Sequence, residues 1–297
     1  MVEITFLGTS SMVPTKERNQ SAVLISYKSE GILIDCGDGT QRQFKIANIP
    51  LTKVTKILIT HWHGDHTLGL PGLIQSLSAS EYTKTLEIYG PKGTKQHFEH
   101  MFKAFVFDRN MELVIHEIKP GTIFENDDFS IEALELEHGV KTFGFNFIEK
   151  DKRRINVSKT NKLGIPEGPL LGKLQQNKTI SWKGKKVGPS DTTYIVQGKK
   201  IALISDTLPC NNCNKLAKDA DVLICEATYH SDLEKKAETH NHMTAKQAAL
   251  IANRADAKKL VLTHFSARYK DLKEIEEDAK DYFDNVVYAY DLLKIKL

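Results

Sequence analysis

The segment from His61 to His66 holds four side chains that could bind a metal ion. His61 and His63 are two residues apart, so an extended backbone would point both imidazoles in the same direction. Gly64 lets the chain turn sharply, so that Asp65 and His66 could face the same cavity from the other side of the turn. Imidazole and carboxylate together suit Zn²⁺ and leave room for bound water. This spacing favours a metal centre over a solvated histidine-rich loop.

Three further candidate ligands stand just past apolar runs elsewhere in the chain, namely His138, Asp206 and His264. For each of them alone, a satisfied polar residue at a strand end is the alternative. With the four side chains of the histidine-rich segment they exceed one tetrahedral site, and they fit two sites that share one carboxylate. Two zinc ions held close together can clamp both oxygens of an in-line displacement at phosphorus. The set therefore predicts two Zn²⁺ per subunit.

One more histidine occupies a position that suits a proton donor. His242 precedes the run Thr244-Ala245-Lys246-Gln247, in which Thr244 as N-cap and Gln247 three residues later form a capping box. We therefore expect His242 on a fixed loop just before a helix. Position alone leaves open that it is an ordinary loop histidine.

The elements that must position these groups are short strands that alternate with helices. Apolar runs predict strands at Ile4–Leu7, Ala22–Tyr27, Gly31–Asp35, Lys56–Thr60 and Phe129–Glu137, the last with one slip that indicates a bulge. Helical spacing predicts helices at Thr40–Ala47, Thr67–Leu77 and Thr94–Val106. Residues 56–61 resemble 259–264, and 32–35 resemble 202–206, in the same order. These echoes predict an α/β fold of two similar halves, packed sheet on sheet with helices outside.

Composition and charge limit the class of protein and its partners. In 297 residues, 40% hydrophobic and 27% charged side chains exclude collagen-like, fibrous and disordered chains. The apolar runs are too short to span a bilayer, and the first residues resemble a strand rather than a signal peptide. Four cysteines are too few for a disulfide framework, so we expect a cytoplasmic protein with reduced thiols. No membrane partner is expected.

A basic segment interrupts the pattern of strands and helices. Residues 150–186 contain eleven Lys and Arg but only two acidic residues, Asp151 and Glu167, in a chain whose net charge is +3. Residues 151–190 are rich in Pro and Gly and contain no convincing amphipathic element, which is unusual inside a compact domain. We interpret them as an arm inserted into a single domain of residues 1–297, with a polyanionic partner. A solvated, flexible insert is the alternative.

Several motifs resemble those of a known family. The string from His61 to His66 resembles the HxHxDH motif of the metallo-β-lactamase superfamily, which includes lactamases, thioester hydrolases, oxidoreductases and nucleases. Residues 14–19 resemble the PxKxRN loop of the short-form ribonuclease Z family of tRNA 3′-processing endoribonucleases. Residues 35–42 are similar to its glycine-rich motif, and residues 226–228 and 242–245 to its paired motifs near the C-terminus. The basic segment lies where that family carries a protruding tRNA-binding arm.

The resemblance implies a fold, an activity and a set of site residues. The fold is the metallo-β-lactamase αββα sandwich, with two mixed sheets, outer helices and a protruding basic arm. The activity is removal of the 3′ trailer from precursor tRNA by a cut after the discriminator nucleotide. One zinc ion is assigned to His61, His63, His138 and Asp206, and the other to Asp65, His66, Asp206 and His264.

The resemblance also implies catalytic roles and RNA contacts. Asp65 would orient and deprotonate the attacking water, while Glu226 would orient His242 to protonate the leaving 3′-oxygen. The implied RNA contacts are Lys16 and Arg18 near the acceptor end, and Arg153, Arg154 and Lys173 in the arm. In this family the arm of one subunit grips tRNA that the other cleaves, so a homodimer is expected; no DNA partner is expected.

Some features leave alternatives open. Cys225 and Met243 stand where many members of the family have His and Ser, which bears on fine positioning rather than on the chemistry. Another hydrolase or an oxidoreductase acting on small molecules, on the same scaffold, is a second hypothesis. An RNA-binding protein with a structural zinc site is a third. The pair Cys210 and Cys213 could be redox-active or bind an extra metal, or consist of bystander thiols.

Overall fold

Strands and helices alternate along most of the chain in the computed structural model, which describes residues 1–106 and 110–297. The strands are β1 (Val2–Gly8), β2 (Ala22–Tyr27), β3 (Glu30–Ile34), β4 (Lys56–Leu58), β5 (Leu86–Gly90), β6 (Leu113–Glu117), β7 (Gly121–Glu125), β8 (Phe129–Glu137), β9 (Lys141–Glu149), β10 (Lys152–Ile155), β11 (Ile180–Trp182), β12 (Lys185–Val187), β13 (Thr193–Val196), β14 (Lys200–Ile204), β15 (Val222–Glu226), β16 (Leu260–Thr263), β17 (Val286–Tyr288) and β18 (Lys294–Lys296). The helices are α1 (Thr40–Ile46), α2 (Gly64–Thr67), α3 (Leu70–Ala79), α4 (Thr94–Ala104), α5 (Val157–Lys162), α6 (Pro169–Gln175), α7 (Pro189–Thr192), α8 (Asn211–Ala217), α9 (Glu234–Thr239), α10 (Ala245–Arg254) and α11 (Lys273–Lys280). None of the helices in the described ranges is long and apolar enough to cross a membrane.

The described residues build two mixed sheets of seven strands with matching topology. The first sheet has the order β18-β1-β2-β3-β4-β5-β6, and the second has the order β17-β16-β15-β14-β9-β8-β7. In the first, β3 to β6 are parallel and the remaining pairs are antiparallel. In the second, β14 to β17 are parallel and the pairs from β14 to β7 are antiparallel. The repeated pattern confirms the predicted α/β fold of two similar halves.

Apolar side chains cover both faces of each sheet. In β2, Val23 and Ile25 belong to a core that also holds Phe129 and Phe145 of the second sheet, while Leu24 points to the opposite face. This alternation follows from the two-residue period of a strand. Two outer cores contain residues of α1, α3 and α4 on the first sheet, and of α8, α10 and α11 on the second. The layers are therefore helix, sheet, sheet and helix.

The helix predicted at Thr67–Leu77 is interrupted in the structure. The chain forms α2 at Gly64–Thr67 and starts α3 only at Leu70. The break lies at Gly69, whose amide donates to the carbonyl of Cys36 at 2.9 Å. A Cβ atom at Gly69 would lie 2.1 Å from the carbonyl oxygen of Gly37. This close approach of two backbones aims the short helix α2, which carries part of the histidine-rich segment, at the strand ends.

The slip predicted in Phe129–Glu137 has a different origin from the one expected. The register between β8 and β9 is continuous over nine pairs. The irregularity lies instead between Thr122 and Phe124 of β7, the strand on the other side of β8. The predicted bulge is therefore wrong for β8 and belongs to its neighbour.

The basic segment is folded, although its sequence shows no clear amphipathic pattern. Strands β10 and β13 pair as an antiparallel ribbon and enclose α5, α6, the β11–β12 hairpin and α7. A small core of its own consists of Ile165, Leu174, Ile180 and Val187. The elements are three to seven residues long, too short for periodicity to show. The ribbon also continues beyond residue 190, where the sequence places the end of the arm.

Candidate active site

The seven candidate metal ligands converge where strands of both sheets end. His61 and His63 follow β4, and α2 carries Asp65 and His66. His138, Asp206 and His264 follow β8, β14 and β16, all of the second sheet. Their ligand atoms form two groups, within each of which all atoms lie within 4.8 Å of one another. One group contains His61, His63, His138 and Asp206; the other contains Asp65, His66, Asp206 and His264.

Asp206 lies between the two groups. Its Oδ2 atom is 3.7 Å from His61 Nε2 and 3.3 Å from His66 Nε2. Its Oδ1 atom is 3.2 Å from His264 Nε2. The side chain is only 3% exposed. Asp206 can therefore contribute one carboxylate oxygen to each group.

One ring nitrogen of each of four imidazoles is fixed by the protein. His66 Nδ1 donates to Asp35 Oδ2 at 2.7 Å, and His138 Nδ1 donates to the carbonyl of Asn241 at 2.9 Å. His61 Nδ1 lies 3.0 Å from the hydroxyl of Thr60, and His264 Nδ1 lies 3.0 Å from the hydroxyl of Thr228. The Thr60 hydroxyl donates its hydrogen to Asp35, and the Thr228 hydroxyl donates its hydrogen to Glu226. Each hydroxyl oxygen therefore accepts a hydrogen bond from the Nδ1–H group of its histidine. The Nε2 lone pairs therefore face the cluster, as in histidine metal sites.

The imidazole nitrogens that face the cluster indicate a site for a bound cation. His63 Nδ1 lies 3.0 Å from His61 Nε2 and 3.2 Å from His138 Nε2. The Nε2 atoms of His66 and His264 are buried without a hydrogen-bond partner among the described residues. Lone pairs that face one another in a buried cluster repel, and unpaired buried nitrogens cost free energy. The donor set of imidazoles and carboxylates thus fits divalent cations such as zinc.

The protonation states suit metal binding. Burial lowers the pKa of His61 and His63, which keeps both imidazoles neutral at physiological pH. Burial alone would raise the pKa of Asp206, but the facing imidazoles of His264 and His66 lower it well below its usual range. The pKa of Asp65 is likewise lowered, because its interactions with the facing imidazoles of His264 and His66 outweigh its burial. Burial lowers the pKa of His66, but the carboxylates of Asp206 and Asp35 outweigh it and raise this pKa well above its usual range, so a metal ion would replace a proton there. The cluster therefore offers ionised carboxylates and, at His61 and His63, neutral imidazoles.

Glu226 and His242 form a pair at the edge of the cluster. His242 Nδ1 donates to Glu226 Oε1 at 3.1 Å. The fully buried carboxylate of Glu226 also accepts from the amide of Thr207 and the hydroxyl of Thr228, both at 2.7 Å. Burial lowers the pKa of His242, but the carboxylates of Glu226 and Asp206 outweigh it and raise this pKa to about 9. A protonated imidazole is thus held beside the metal cluster.

The local structure around His242 agrees with the sequence. Thr244 and Gln247 form the predicted capping box at the start of α10, which is confirmed. Cys225 and Met243, where the chain departs from the family pattern, are both fully buried in the outer core of the second sheet. Neither side chain lines the cavity at the metal cluster.

A cavity of about 280 Å³ opens onto the cluster. Five of the candidate ligands and His242 line it, together with Ser11, Met12, Thr228, Tyr229 and His240. At its edge, the exposed guanidinium of Arg268 lies 5.3 Å from the ring centre of Tyr229. Sequence reasoning missed these lining residues. It also gave no role to Asp35, although the glycine-rich motif that starts there was a usable signal.

The residues expected to contact RNA lie in different environments. Lys16, Arg154 and Lys173 are exposed, and Arg153 is half-buried and donates to the hydroxyl of Thr193. Arg18 is only 6% exposed.

The guanidinium of Arg18 is used inside the protein. Its Nη2 atom donates to the carbonyl of Tyr269 at 2.8 Å and to that of Ser266 at 3.3 Å. Arg18 therefore holds the 14–19 loop against the segment that follows His264.

Two facing mixed sheets with outer helices, and a histidine–aspartate cluster at their common edge, define a metal-binding protein of the metallo-β-lactamase fold. Residues 2–159 match the family model described as Anti-Pycsar protein Apyc1, and residues 179–265 match the beta-lactamase superfamily domain. The chain is 38% identical over 292 residues to Ribonuclease Z of Protochlamydia amoebophila, covering 98% of this chain and 95% of that protein. It is 41% identical over 288 residues to Ribonuclease Z of Chlamydia abortus, covering 97% and 94%. The chain belongs to the ribonuclease Z family.

A solved structure agrees with this assignment. The crystal structure of human tRNase Z, short form, superposes with a TM-score of 0.74 at 29% identity. The match covers 99% of this chain and 98% of the human chain. The likeness thus extends over the basic segment as well as the two sheets.

Proposed function

We propose that this protein is an endoribonuclease that removes the 3′ trailer from precursor tRNA. The cut falls after the discriminator nucleotide and leaves a 3′-hydroxyl on the tRNA. One observation carries the proposal: a chain related to Ribonuclease Z over nearly its whole length brings together two ligand groups that share Asp206. We place the enzyme in the cytoplasm.

The proposed cofactor is two Zn²⁺ per subunit. His61, His63, His138 and Asp206 would hold one ion, and Asp65, His66, Asp206 and His264 the other. When bound, the two ions would supply Lewis-acid activation of water and neutralise the charge that builds up at phosphorus. The buried Nε2 atoms of His66 and His264, which have no hydrogen-bond partner in the part of the chain that the structure describes, support this assignment.

The remaining chemistry belongs to three side chains. Asp65 orients the attacking water and accepts its proton, since its carboxylate lines the cavity and is ionised. His242 donates a proton to the leaving 3′-oxygen, and Glu226 orients the imidazole through its Nδ1 atom. A positioned general acid typically contributes about 10²–10⁴-fold to the rate.

The arm and the 14–19 loop are the proposed tRNA contacts. Arg153, Arg154 and Lys173 would contact phosphates, because clustered cations read the shape and backbone of RNA rather than its sequence. Lys16 is exposed on a loop whose neighbour Met12 lines the cavity, which suits a contact near the acceptor end. Arg18 would also lie near the acceptor end and would hold that loop in place. We further propose a homodimer, in which the arm of one subunit grips tRNA cleaved by the other.

The decisive experiment incubates the purified protein with a 3′-extended tRNA precursor, with and without a chelator, and maps the cut. We expect one cut after the discriminator nucleotide, and none when the metal is removed. Asp65→Ala should abolish cleavage, whereas His242→Ala should slow it without loss of metal. Cleavage of a lactam or thioester, with precursor tRNA left intact, would identify a small-molecule hydrolase instead.

A second experiment isolates the arm. Residues 157–191 are replaced by a short glycine linker, which keeps the β10–β13 ribbon that closes the segment. We expect weaker binding of precursor tRNA with a flatter salt dependence, because fewer counterions are released. Hydrolysis of a small phosphodiester should survive, and an equal loss of both activities would mean that the arm is structural.

A further inference from the structure

Two cysteines outside the metal cluster lie in contact at the start of α8. The Sγ atoms of Cys210 and Cys213 are 3.5 Å apart, and both thiols are free. The amide of Cys213 donates to the carbonyl of Cys210 at 3.1 Å, and the side chain of Asn212 donates to the carbonyl of Glu135 at 2.9 Å. The backbone between the two thiols is therefore held in place. A disulfide needs an S–S distance of about 2.05 Å, so a small movement would join them.

The two thiols differ in exposure and acidity. Cys210 is partly exposed, whereas Cys213 is fully buried. The hydrogen bond from the Cys213 thiol lowers the pKa of Cys210 to about 6, and the same contact raises the pKa of Cys213. The other two cysteines, Cys36 and Cys225, are fully buried, and burial raises the pKa of each. Of the four, only Cys210 combines access from solvent with thiolate character, the combination that makes a cysteine reactive.

We propose that Cys210 and Cys213 form a redox-active dithiol that low-molecular-weight disulfides, such as oxidised glutathione, convert into an intramolecular disulfide. The Cys210 thiolate attacks one sulfur of oxidised glutathione, forms a mixed disulfide and releases one glutathione thiolate. The Cys213 thiol then loses its proton and attacks Cys210 Sγ, which releases the second glutathione thiolate. The protein loses two electrons and two protons, and one molecule of oxidised glutathione becomes two of reduced glutathione.

The dithiol is joined to the catalytic residues by a short connection. Cys210 lies four positions after Asp206 in the chain. Within this stretch, the amide of Thr207 donates to Glu226 and the amide of Leu208 donates to the carbonyl of Glu137 at 2.8 Å. Closing the S–S bond pulls on this stretch from one end. Because a displacement of about 1 Å at a catalytic group can cost up to about 100-fold in rate, we expect about tenfold slower turnover by the oxidised protein.

Peptide mapping tests the site directly. Trypsin places Cys210 and Cys213 together in the peptide of residues 201–215, and it places Cys36 and Cys225 in separate peptides of residues 29–42 and 219–235. The full-length protein is equilibrated with oxidised glutathione, quenched with an alkylating agent and digested. We expect the 201–215 peptide to lose two hydrogens and to resist alkylation. The other two peptides should stay reduced and serve as internal controls.

Two variants test the assigned roles of the thiols. Cys213→Ala should trap a stable glutathione adduct on Cys210, because the second thiol is missing. Cys210→Ala should remain unmodified, because Cys213 is buried. The proposal is overturned if Cys210→Ala reacts as readily as Cys213→Ala, or if the wild-type protein keeps its glutathione adduct without forming the internal bond.

Turnover of precursor tRNA tests the link to the catalytic residues. Oxidised wild-type protein should regain full turnover after treatment with dithiothreitol, and Cys210→Ala should show no response to oxidised glutathione. Unchanged turnover by protein shown to carry the disulfide would overturn the link.

Discussion

The hydrogen bond between Asp35 and His66 provides the sharpest test of how the metal cluster is built. Asp35 accepts from the amide of Thr60 at 2.8 Å, from the hydroxyl of Thr60 at 2.8 Å, and from His66 Nδ1 at 2.7 Å. It is 2% exposed and has a φ of +59°. Asparagine tolerates this left-handed backbone and has nearly the same shape. Asp35→Asn therefore changes the hydrogen bonding while it preserves the packing.

The expected loss of metal affinity follows from the hydrogen-bond donors that meet at the Asp35 carboxylate. Asparagine presents an NH₂ group where one carboxylate oxygen stood, and an NH₂ group cannot accept from another N–H. In either orientation it therefore opposes a donor, the His66 imidazole in one and the Thr60 amide in the other. Opposite His66, the imidazole loses its partner or moves its proton to Nε2, the nitrogen that faces Asp65 and Asp206; opposite Thr60, the repulsion displaces the side chain that supports His66. A proton at Nε2 would block a metal ion. Loss of such a supporting contact typically weakens metal binding about 10–100-fold, or about 1.4–2.7 kcal/mol.

Chelator competition with measurement of bound zinc gives the affinity of each variant. The matched control is Asp38→Asn, an exposed residue three positions further along the same loop. We expect the control to bind metal like the wild-type protein, while Asp35→Asn binds one ion more weakly and keeps the other. Equal affinities in both variants would refute the argument that Asp35 fixes the tautomer of His66.

Three further changes test the scaffold. Gly69→Ala places a Cβ atom 2.1 Å from a backbone carbonyl and should destabilise the protein in chemical unfolding, whereas Gly172→Ala, with nothing within 4 Å, should be neutral or stabilise it by about 0.4–1 kcal/mol. Arg18→Met should lower the free energy of unfolding by about 1–3 kcal/mol through the unpaired carbonyls that it leaves, while Lys16→Met leaves it unchanged. Burial raises the pKa of Asp291 to about 6, above its unfolded value of about 3.9. The folded state therefore binds the extra proton, so this group's contribution to stability is present below about pH 4 and is lost as the pH rises through about 6. Asp291→Asn should flatten this part of the profile, and parallel profiles for the two proteins would count against it.

The ligand cluster could be predicted from the sequence because each ligand is marked by the residues next to it in the chain. His61, His138, Asp206 and His264 each follow an apolar run, and strands that end at one edge bring such residues together. The groups that orient them were not within reach. Asp35 precedes His66 by 31 residues, and Thr228 precedes His264 by 36. Nothing in the spacing of two distant polar residues indicates which imidazole each one will meet.

The folded arm and the burial of Arg18 escaped prediction for a related reason. Elements of three to seven residues are too short to show a hydrophobic period, so the arm resembles a loop in sequence although it has its own core. Arg18 resembles a surface cation by type and by its charged neighbours. Its burial depends on the carbonyls of Ser266 and Tyr269, about 250 positions away. The charge of a side chain therefore predicts its exposure only when no partner distant in sequence is available to bury it.

The placement of the ligands joins the stability of the fold to the chemistry of the site. Each ligand group combines two side chains that come after strand β4 of the first sheet with two that come after strands of the second sheet. In one group, for example, His61 and His63 meet His138 and Asp206. A cation bound to either group therefore ties the two halves together, and its binding free energy adds to that of the core between the sheets. The carboxylates of Asp65 and Asp206 both lie within 3.4 Å of His66 Nε2, so side chains from the two halves already meet at one nitrogen. The ligand cluster is thus also a junction between the two halves, since a ligand that binds only the folded state stabilises that state.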